Sequence, residues 1–379
     1  MYDPRLDTLA QVLVQYSVAI RPGDVVYIKG SPMAEPLASA VSRAVLKAGG
    51  HPWVRLIPDD AEWEFFRHAR DAQLAFVSPF DKHIMATANV YISLWAARNT
   101  KALSNVDSRK QALASQARKP ILATFMKRAA LPRNDPKRLR WVGTAYPCEA
   151  SAQDAEMSLP EWADFVFHAG KLDQKDPIAA WKQSGAAQQR LADHLNRCRE
   201  IHITAPNGTD IRFGVEKRRW INCHGHENFP DGEVFTGPIE DATEGTVVYS
   251  FPAVYGGREV EGVRLTFKAG KVIDASAAKN EDFLLKMIDQ DKGGRVLGEL
   301  ALGTNYDISR FVKDTLFDEK IGGTFHAALG AAYPETGGRN QSGLHWDMVC
   351  DLRRGGVVRA DGEVISRDGR FVNPQWPRR

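Results

Sequence analysis

The sequence predicts a two-domain α/β chain. An N-terminal domain over 1–198 is built on an open, mostly parallel sheet with a helical connection at its end, and a C-terminal α+β domain over 199–379 is rich in antiparallel strands. Three observations carry this expectation. The 379 residues exceed what one hydrophobic core usually supports. In the first part of the chain, short β-branched runs alternate with helical periodicity, the pattern of parallel βαβ units. After Ile201, turn dipeptides separate segments of alternating polarity, the pattern of antiparallel hairpins.

Taken in order, Leu6, Leu9, Val12, Leu13 and Tyr16 recur at helical spacing until Pro22, Gly23 and Asp24 stop the helix. VVYIK at 25–29 reads as a strand, Glu35 to Leu46 as a helix ended by Gly49 and Gly50, and PWVRLI as the next strand. Further strands are expected at AFVS (75–78), NVYISL (89–94), ILATFM (121–126) and LRWVGTAY (139–146). Neither GxGxxG nor GxxxxGKS follows Gly30, so no nucleotide loop is expected there. From Glu149 to Asn196 the pattern is helical and links the domains. Hairpins are then expected at Asn207-Gly208, Ala269-Gly270 and Asp361-Gly362, with helices at 281–290 and 306–317. The Pro-rich tail VNPQWPRR continues neither a strand nor a helix.

Composition narrows the class of protein. Hydrophobic residues at 43% and charged residues at 26% exclude a disordered or fibrous chain. Fifty basic against 47 acidic side chains leave +3, which predicts neither a nucleic-acid nor a membrane partner. The first twenty residues lack a basic n-region and a continuous apolar run, and no segment approaches the roughly 20 apolar residues of a bilayer span. A soluble, cytoplasmic protein is expected. Cys148, Cys198, Cys223 and Cys350 lie far apart with no CxxC pair, which suits reduced thiols, and Cys350 reads as a buried small hydrophobe.

The segment GLHWDMVCDL is the most informative for chemistry. On a strand, His345 and Asp347 point to one face and Trp346, Met348, Cys350 and Leu352 to the other, so imidazole and carboxylate meet a cavity while the apolar face packs. By itself an HxD pair is more often a hydrogen-bonded or solvated face than a metal site. His326, among glycines in DEKIGGTFHAALGAAYPETGG, reads locally as a core histidine, with metal ligation as the alternative. Tyr333 lies in a turn-rich stretch where a phenol reaches a cleft or serves structure. Glu299, flanked by Leu297, Leu300 and Leu302, needs a buried partner, either a metal or a cation such as Arg295 or Lys320. Glu233 follows an Asp-Gly turn and reads locally as an exposed loop residue.

Together these blocks resemble the aminopeptidase T family of metallo-exopeptidases, which includes the aminopeptidase S type. The resemblance runs from RPGDVVYIKG and AGGHPWVRL to its strongest part, NFPDGEVFTGP, LGELALGTN and LFDEKIGGTFHAALGAAYPETGGRNQSGLHWDM. It implies two divalent ions (zinc, cobalt, manganese or magnesium) in the C-terminal domain. Their ligands fall on Glu233, Glu299, His326, His345 and Asp347, with Glu299 and Tyr333 as catalytic residues. The residues flanking His326 are Phe325 and Ala327 where the family leads one to expect Ile and Leu. The resemblance further implies peptide substrates with a free N-terminus and a homodimer. Glu335 and Asp231 are conceivable acceptors for the substrate amine, with exposed turn positions as the simpler reading. His224 and His226 in CHGH match no zinc motif and rank at most as cleft residues. Two rivals remain at this stage. One is a mononuclear iron dioxygenase opening a hydroxylated pyridine ring, with His326, His345 and Asp347 as its triad. The other is a non-catalytic relative of the same fold.

Overall fold

The computed structural model describes residues 3–132 and 134–378, which form two compact units. Unit 1 comprises Met1–Ile178 with Gly225–Phe229, and unit 2 comprises Ala179–His224 with Pro230–Arg379.

Unit 1 opens with α1 (Arg5–Val12), whose turns continue as a π-helical stretch through Leu13–Ser17. Strands β1 (Val25–Gly30), β2 (His51–Leu56), β3 (Val90–Trp95) and β4 (Arg140–Ala145) pair in parallel in the order β2-β1-β3-β4. The two residues of the strand Asn228–Phe229 extend the sheet beyond β4. Helix α2 (Glu35–Lys47), with a proline in its first turn, connects β1 to β2 as the spacing predicts. The helical run after Glu149 appears as α7 (Glu149–Asp154), α8 (Leu159–Ala169) and α9 (Pro177–Leu195), the last of which belongs to unit 2 from Ala179 onward; α3 (Asp59–His68), α4 (Asp71–Leu74), α5 (Pro79–Thr87) and α6 (Ser108–Ala129) precede them.

Two expected strands are not strands. ILATFM lies inside the 22-residue α6, where Ile121 and Phe125, one helical turn apart, pack on Tyr27, Ile84, Met85 and Leu139. An apolar run of six residues carries both periodicities, and the helix is set by its longer flanks. AFVS is the link that follows α4 and leads into α5, because the Ser78 hydroxyl accepts the Asp81 amide at 3.3 Å and Pro79 takes the first helical position.

Unit 2 is antiparallel. Its larger sheet has β5 (Glu200–Ala205), β6 (Thr209–Gly214), β10 (Thr243–Val248), β13 (Arg264–Lys268), β14 (Lys271–Ser276), β18 (Val357–Ala360), β19 (Glu363–Arg367) and β20 (Arg370–Phe371), ordered β14-β13-β10-β6-β5-β18-β19-β20. All three expected hairpins form; at the last, Asp361 and Gly362 both adopt positive φ (48° and 88°), as a type I′ turn requires. The second sheet has β7 (Ile221–Cys223), β9 (Glu233–Thr236), β15 (Leu297–Gly303), β16 (Thr324–Gly330) and β17 (His345–Asp351), ordered β17-β16-β15-β9-β7. Val234, Leu300, Leu302, Phe325, Ala327, Leu329, Trp346 and Met348 from this sheet join Ile203, Ile211, Phe213 and Leu265 of the larger one in one core. Burial on this scale, at about 25 cal/mol per Å² of apolar surface, fixes which face of the second sheet is left for chemistry. A two-stranded ribbon, β11 (Ala253–Tyr255) and β12 (Arg258–Val260), completes the strands.

Helix α10 (Glu281–Ile288) lies where periodicity places it. Of 306–317, only α11 (Thr315–Asp318) is helical, beginning where Asp314 caps it. The buried Asp318 carboxylate accepts the Val312 amide at 2.7 Å and holds the preceding segment as a loop.

Candidate metal centre

The face of the second sheet turned away from the core carries the five residues singled out in the sequence. Asp347 on β17 stands opposite Ala328 on β16, which stands opposite Glu299 on β15. One register step along, His326 faces Ala301 and Val349; Glu233 on β9 faces Gly303 and Cys223, and His345 faces Gly330. Ligand-type side chains therefore alternate with Ala301, Gly303, Ala328 and Gly330, which leave open the volume that larger neighbours would fill. A register irregularity between Leu297 and Glu299 sets this alignment. At that bulge a Cβ on Gly298 would lie 2.1 Å from the Ala331 carbonyl oxygen, so the close approach of the two strands depends on glycine.

The side chains converge as two groups of possible ligands, Glu233 with Glu299 and His326, and Glu299 with His345 and Asp347, the atoms in each lying within 4.8 Å of one another. Glu299 belongs to both. Its Oε1 is 3.5 Å from His326 Nε2, and its Oε2 is 3.3 Å from His345 Nε2. Glu233 Oε2 is 3.4 Å from His326 Nε2, and Asp347 Oδ2 is 3.5 Å from His345 Nε2. The other ring nitrogen of His345, Nδ1, donates to the Ala331 carbonyl at 2.8 Å, which orients the ring and turns Nε2 toward Glu299 and Asp347. On the backbone side, buried Gln188 donates to the carbonyls of Glu233 and Cys223 at 3.0 and 2.7 Å and ties β9 to β7.

Unused polar atoms test whether these residues suit a cation. Glu233 Oε2, both ring nitrogens of His326 and Asp347 Oδ1 are buried without a hydrogen-bond partner. Buried polar atoms are normally paired, and several unpaired donors aimed at one place are satisfied together by a metal. Mixed imidazole and carboxylate donors suit divalent transition ions. The residues fit.

The electrostatics agree. Burial works against ionisation of Glu299, but His326 and His345 on either side outweigh it and hold the carboxyl down at about 2. Burial likewise opposes charge on the histidines; the Glu299 and Glu233 carboxylates push His326 up to about 9, and Asp347 and Glu299 push His345 up to about 10. Burial raises Asp347 well above the usual carboxylate range, with the Glu319 charge adding to it, and raises Glu233 despite Lys320. The carboxylates hold both imidazoles above the ordinary histidine value, so ligating an ion near pH 7 would require each to give up a proton. We expect metal uptake at pH 7 to release at least about two protons per chain, and affinity to rise with pH toward the histidine values. Calorimetric titration in buffers of different ionisation enthalpy measures this; uptake without proton release contradicts it.

Tyr333 precedes the 3-10 turn Pro334–Thr336, and its ring meets His345 and Phe235 edge-on, at centroid distances of 5.3 and 5.4 Å. Burial, reinforced by the Glu299 and Asp347 charges, raises its phenol far above the ordinary value, so it stays protonated.

Several local readings are overturned. Glu233 is not an exposed loop residue but sits buried on β9, 5% exposed. The cations considered for Glu299 go elsewhere: Arg295 pairs with Asp289, and Lys320 pairs with Glu233 and Glu319. Asp231 is buried rather than exposed, and its carboxylate and the Cys223 thiol approach Glu233 as a third group of possible ligands. Glu335 is exposed. His226 lies in the unit 1 segment, stacked 4.8 Å from Tyr16 with Nδ1 3.0 Å from the Ser17 carbonyl oxygen, and the His224 ring lies against Gly185. Among the described residues neither histidine joins a group of possible ligands.

The sequence model of the thermophilic metalloprotease family M29 matches residues 2–371. The chain is 28% identical to aminopeptidase 2 of Geobacillus stearothermophilus, with 98% of each chain covered. It is 36% identical to aminopeptidase T of Thermus thermophilus over 54% of this chain and 55% of that one. Among solved structures it is similar to wild-type AmpT from Thermus thermophilus, with a TM-score of 0.84 at 25% identity over 98% of this chain and all of the other. A 2,5-dihydroxypyridine dioxygenase from Pseudomonas putida KT2440 shares the fold, with a TM-score of 0.60 at 12% identity and 97% of each chain covered.

Proposed function

The chain belongs to the thermophilic metalloprotease family M29, and from that premise we propose that Glu233, Glu299, His326, His345 and Asp347 hold two divalent ions with which it removes N-terminal residues from peptides. As a member of the family the protein is a metalloaminopeptidase, a hydrolase acting as an exopeptidase on peptides. The observation that carries the two-ion reading is the double membership of Glu299, one oxygen toward each histidine, in two groups of donors that each hold a buried atom without a hydrogen-bond partner, Glu233 Oε2 and the His326 ring nitrogens in one and Asp347 Oδ1 in the other.

Divalent ions in such a site supply Lewis acidity and ready a water for attack near neutral pH. The residues do the rest. Glu299 takes the proton that the attacking water gives up and passes it to the departing amine. Tyr333, whose burial favours a protonated phenol, donates a hydrogen bond to the oxyanion that develops on the scissile carbonyl. Only three of the five proposed ligands are anionic, so the ions would keep Lewis acidity toward the substrate carbonyl. Zinc, cobalt, manganese and magnesium all accept this donor set. The finer reading also includes a homodimer and a cytoplasmic location. Four free cysteines support a reducing compartment, and among the described residues no helix is long and apolar enough to cross a membrane.

A panel of aminoacyl anilides and dipeptides tests the reading with metal-loaded protein. Substrates with a free amine are expected to be cleaved and their N-acetylated counterparts spared. No cleavage across the panel would point to a non-catalytic relative. A single iron per chain with oxygen consumption on a dihydroxypyridine would establish the dioxygenase reading instead.

A further inference from the structure

Beside the five proposed ligands lies a cation the chain supplies itself. Lys320 is 1% exposed, and its ammonium donates to Glu319 Oε2 at 2.6 Å and lies 3.0 Å from Glu233 Oε1. The other Glu233 oxygen, Oε2, has no hydrogen-bond partner and faces His326 Nε2 at 3.4 Å. Lys320 thus divides the two oxygens of one carboxylate between two tasks. Without the ammonium, nothing in this arrangement would distinguish Oε1 from Oε2, and Glu233 could turn both toward an ion.

We propose that Lys320 is a positioning residue for the metal centre: it occupies Glu233 Oε1 and so makes Glu233 a one-oxygen ligand aimed through Oε2 at the ion shared with His326 and Glu299. The inference rests on the two-ion reading and deepens it. Charge supports it. Asp231, Glu233, Glu299, Glu319 and Asp347 are the carboxylates that act on this cluster, and two divalent ions together with Lys320 match them charge for charge. A buried ammonium survives only where anions surround it, and Glu233, Glu319 and Asp231 keep Lys320 charged against the cost of burial. Two opposing effects attend its removal. A more negative site attracts cations more strongly, whereas a Glu233 free to turn binds them less well. Orientation is expected to win, because loss of a partner that orients a ligand typically weakens metal binding about 10–100-fold.

The test uses metal-free full-length protein titrated with Co2+ or Zn2+, comparing wild type with Lys320→Met, followed by calorimetry and by the visible absorption of cobalt. The expected result is that one of the two equivalents binds about 10–100-fold more weakly with an altered cobalt spectrum, while the other is unchanged. Wild-type binding of both equivalents overturns the inference, and so does equal weakening of both, which marks a merely structural residue. Should Lys320→Met show no cooperative melt, Lys320→Gln replaces the ammonium by a shorter, neutral amide that still suits a polar environment. It should weaken the same equivalent, by less, and wild-type binding there overturns the inference as well. Failure of the underlying reading is separable, since it appears in the wild-type titration as a single equivalent.

Discussion

Glu299→Gln is expected to lower kcat roughly 10³–10⁴-fold, about 4–5.5 kcal/mol of barrier, while leaving a cooperatively folded protein. The substitution conserves volume on a fully packed strand, so the sheet has no cavity to collapse into. It removes the group proposed to carry the proton and, at the same position, the anion shared by both donor groups. Part of the loss is therefore one of metal affinity, and it should be reduced but not abolished at saturating metal. A pH signature accompanies it in the metal-free protein. A carboxyl held near 2 in the folded state contributes stability above its ordinary value of 4.5, and that contribution is lost as pH falls toward 2. The melting temperatures of wild type and variant should thus differ most near neutral pH and converge in acid. Activity within tenfold of wild type, about 1.4 kcal/mol, would remove Glu299 from the chemistry.

Gly298→Ala is expected to have the second large effect, on the fold and the site together. A Cβ there meets the Ala331 carbonyl oxygen at 2.1 Å and that of Gly330 at 2.5 Å, both rigid backbone atoms. One of the strands must shift, at a cost of roughly 1–3 kcal/mol or more for overpacking a buried position. The shift falls on the bulge that aligns Glu299 with Ala328 and Asp347, and on the Ala331 carbonyl that holds the His345 ring. A displacement of about 1 Å at such a site can cost ~10²-fold in rate. Both a lower melting temperature and weakened metal binding should follow. Wild-type values for each would show that the bulge does not position the site.

Much of this arrangement is written in the sequence at a spacing of two. His345 and Asp347 were legible as one face of a strand because Trp346 and Met348 mark the other. A further pattern runs along the two neighbouring strands. LGELALG and TFHAALG each read proposed ligand, alanine, glycine at alternate positions, Glu299-Ala301-Gly303 and His326-Ala328-Gly330. Small residues opposite ligands on neighbouring strands are the signal of a cavity over a sheet. Glu233 was illegible locally, because burial on β9 depends on pairing with β15, some 60 residues on. The partner of Lys320 was equally hidden. Its neighbours in sequence offer Glu319, but only the tertiary fold brings Glu233 to its other side. In unit 1, ILATFM shows the converse limit, a short apolar run whose length of helix on either side outweighed its β-branched appearance.

The central claim is that two ions, held by five residues on one sheet face, make this chain an aminopeptidase. Its most direct test is to titrate chelator-stripped protein with Co2+ or Zn2+ while following release of aniline from an aminoacyl anilide. The expected result is no turnover without metal and a rate that levels off at about two equivalents per chain. Full activity at a single equivalent, or activity that survives complete removal of metal, would contradict it.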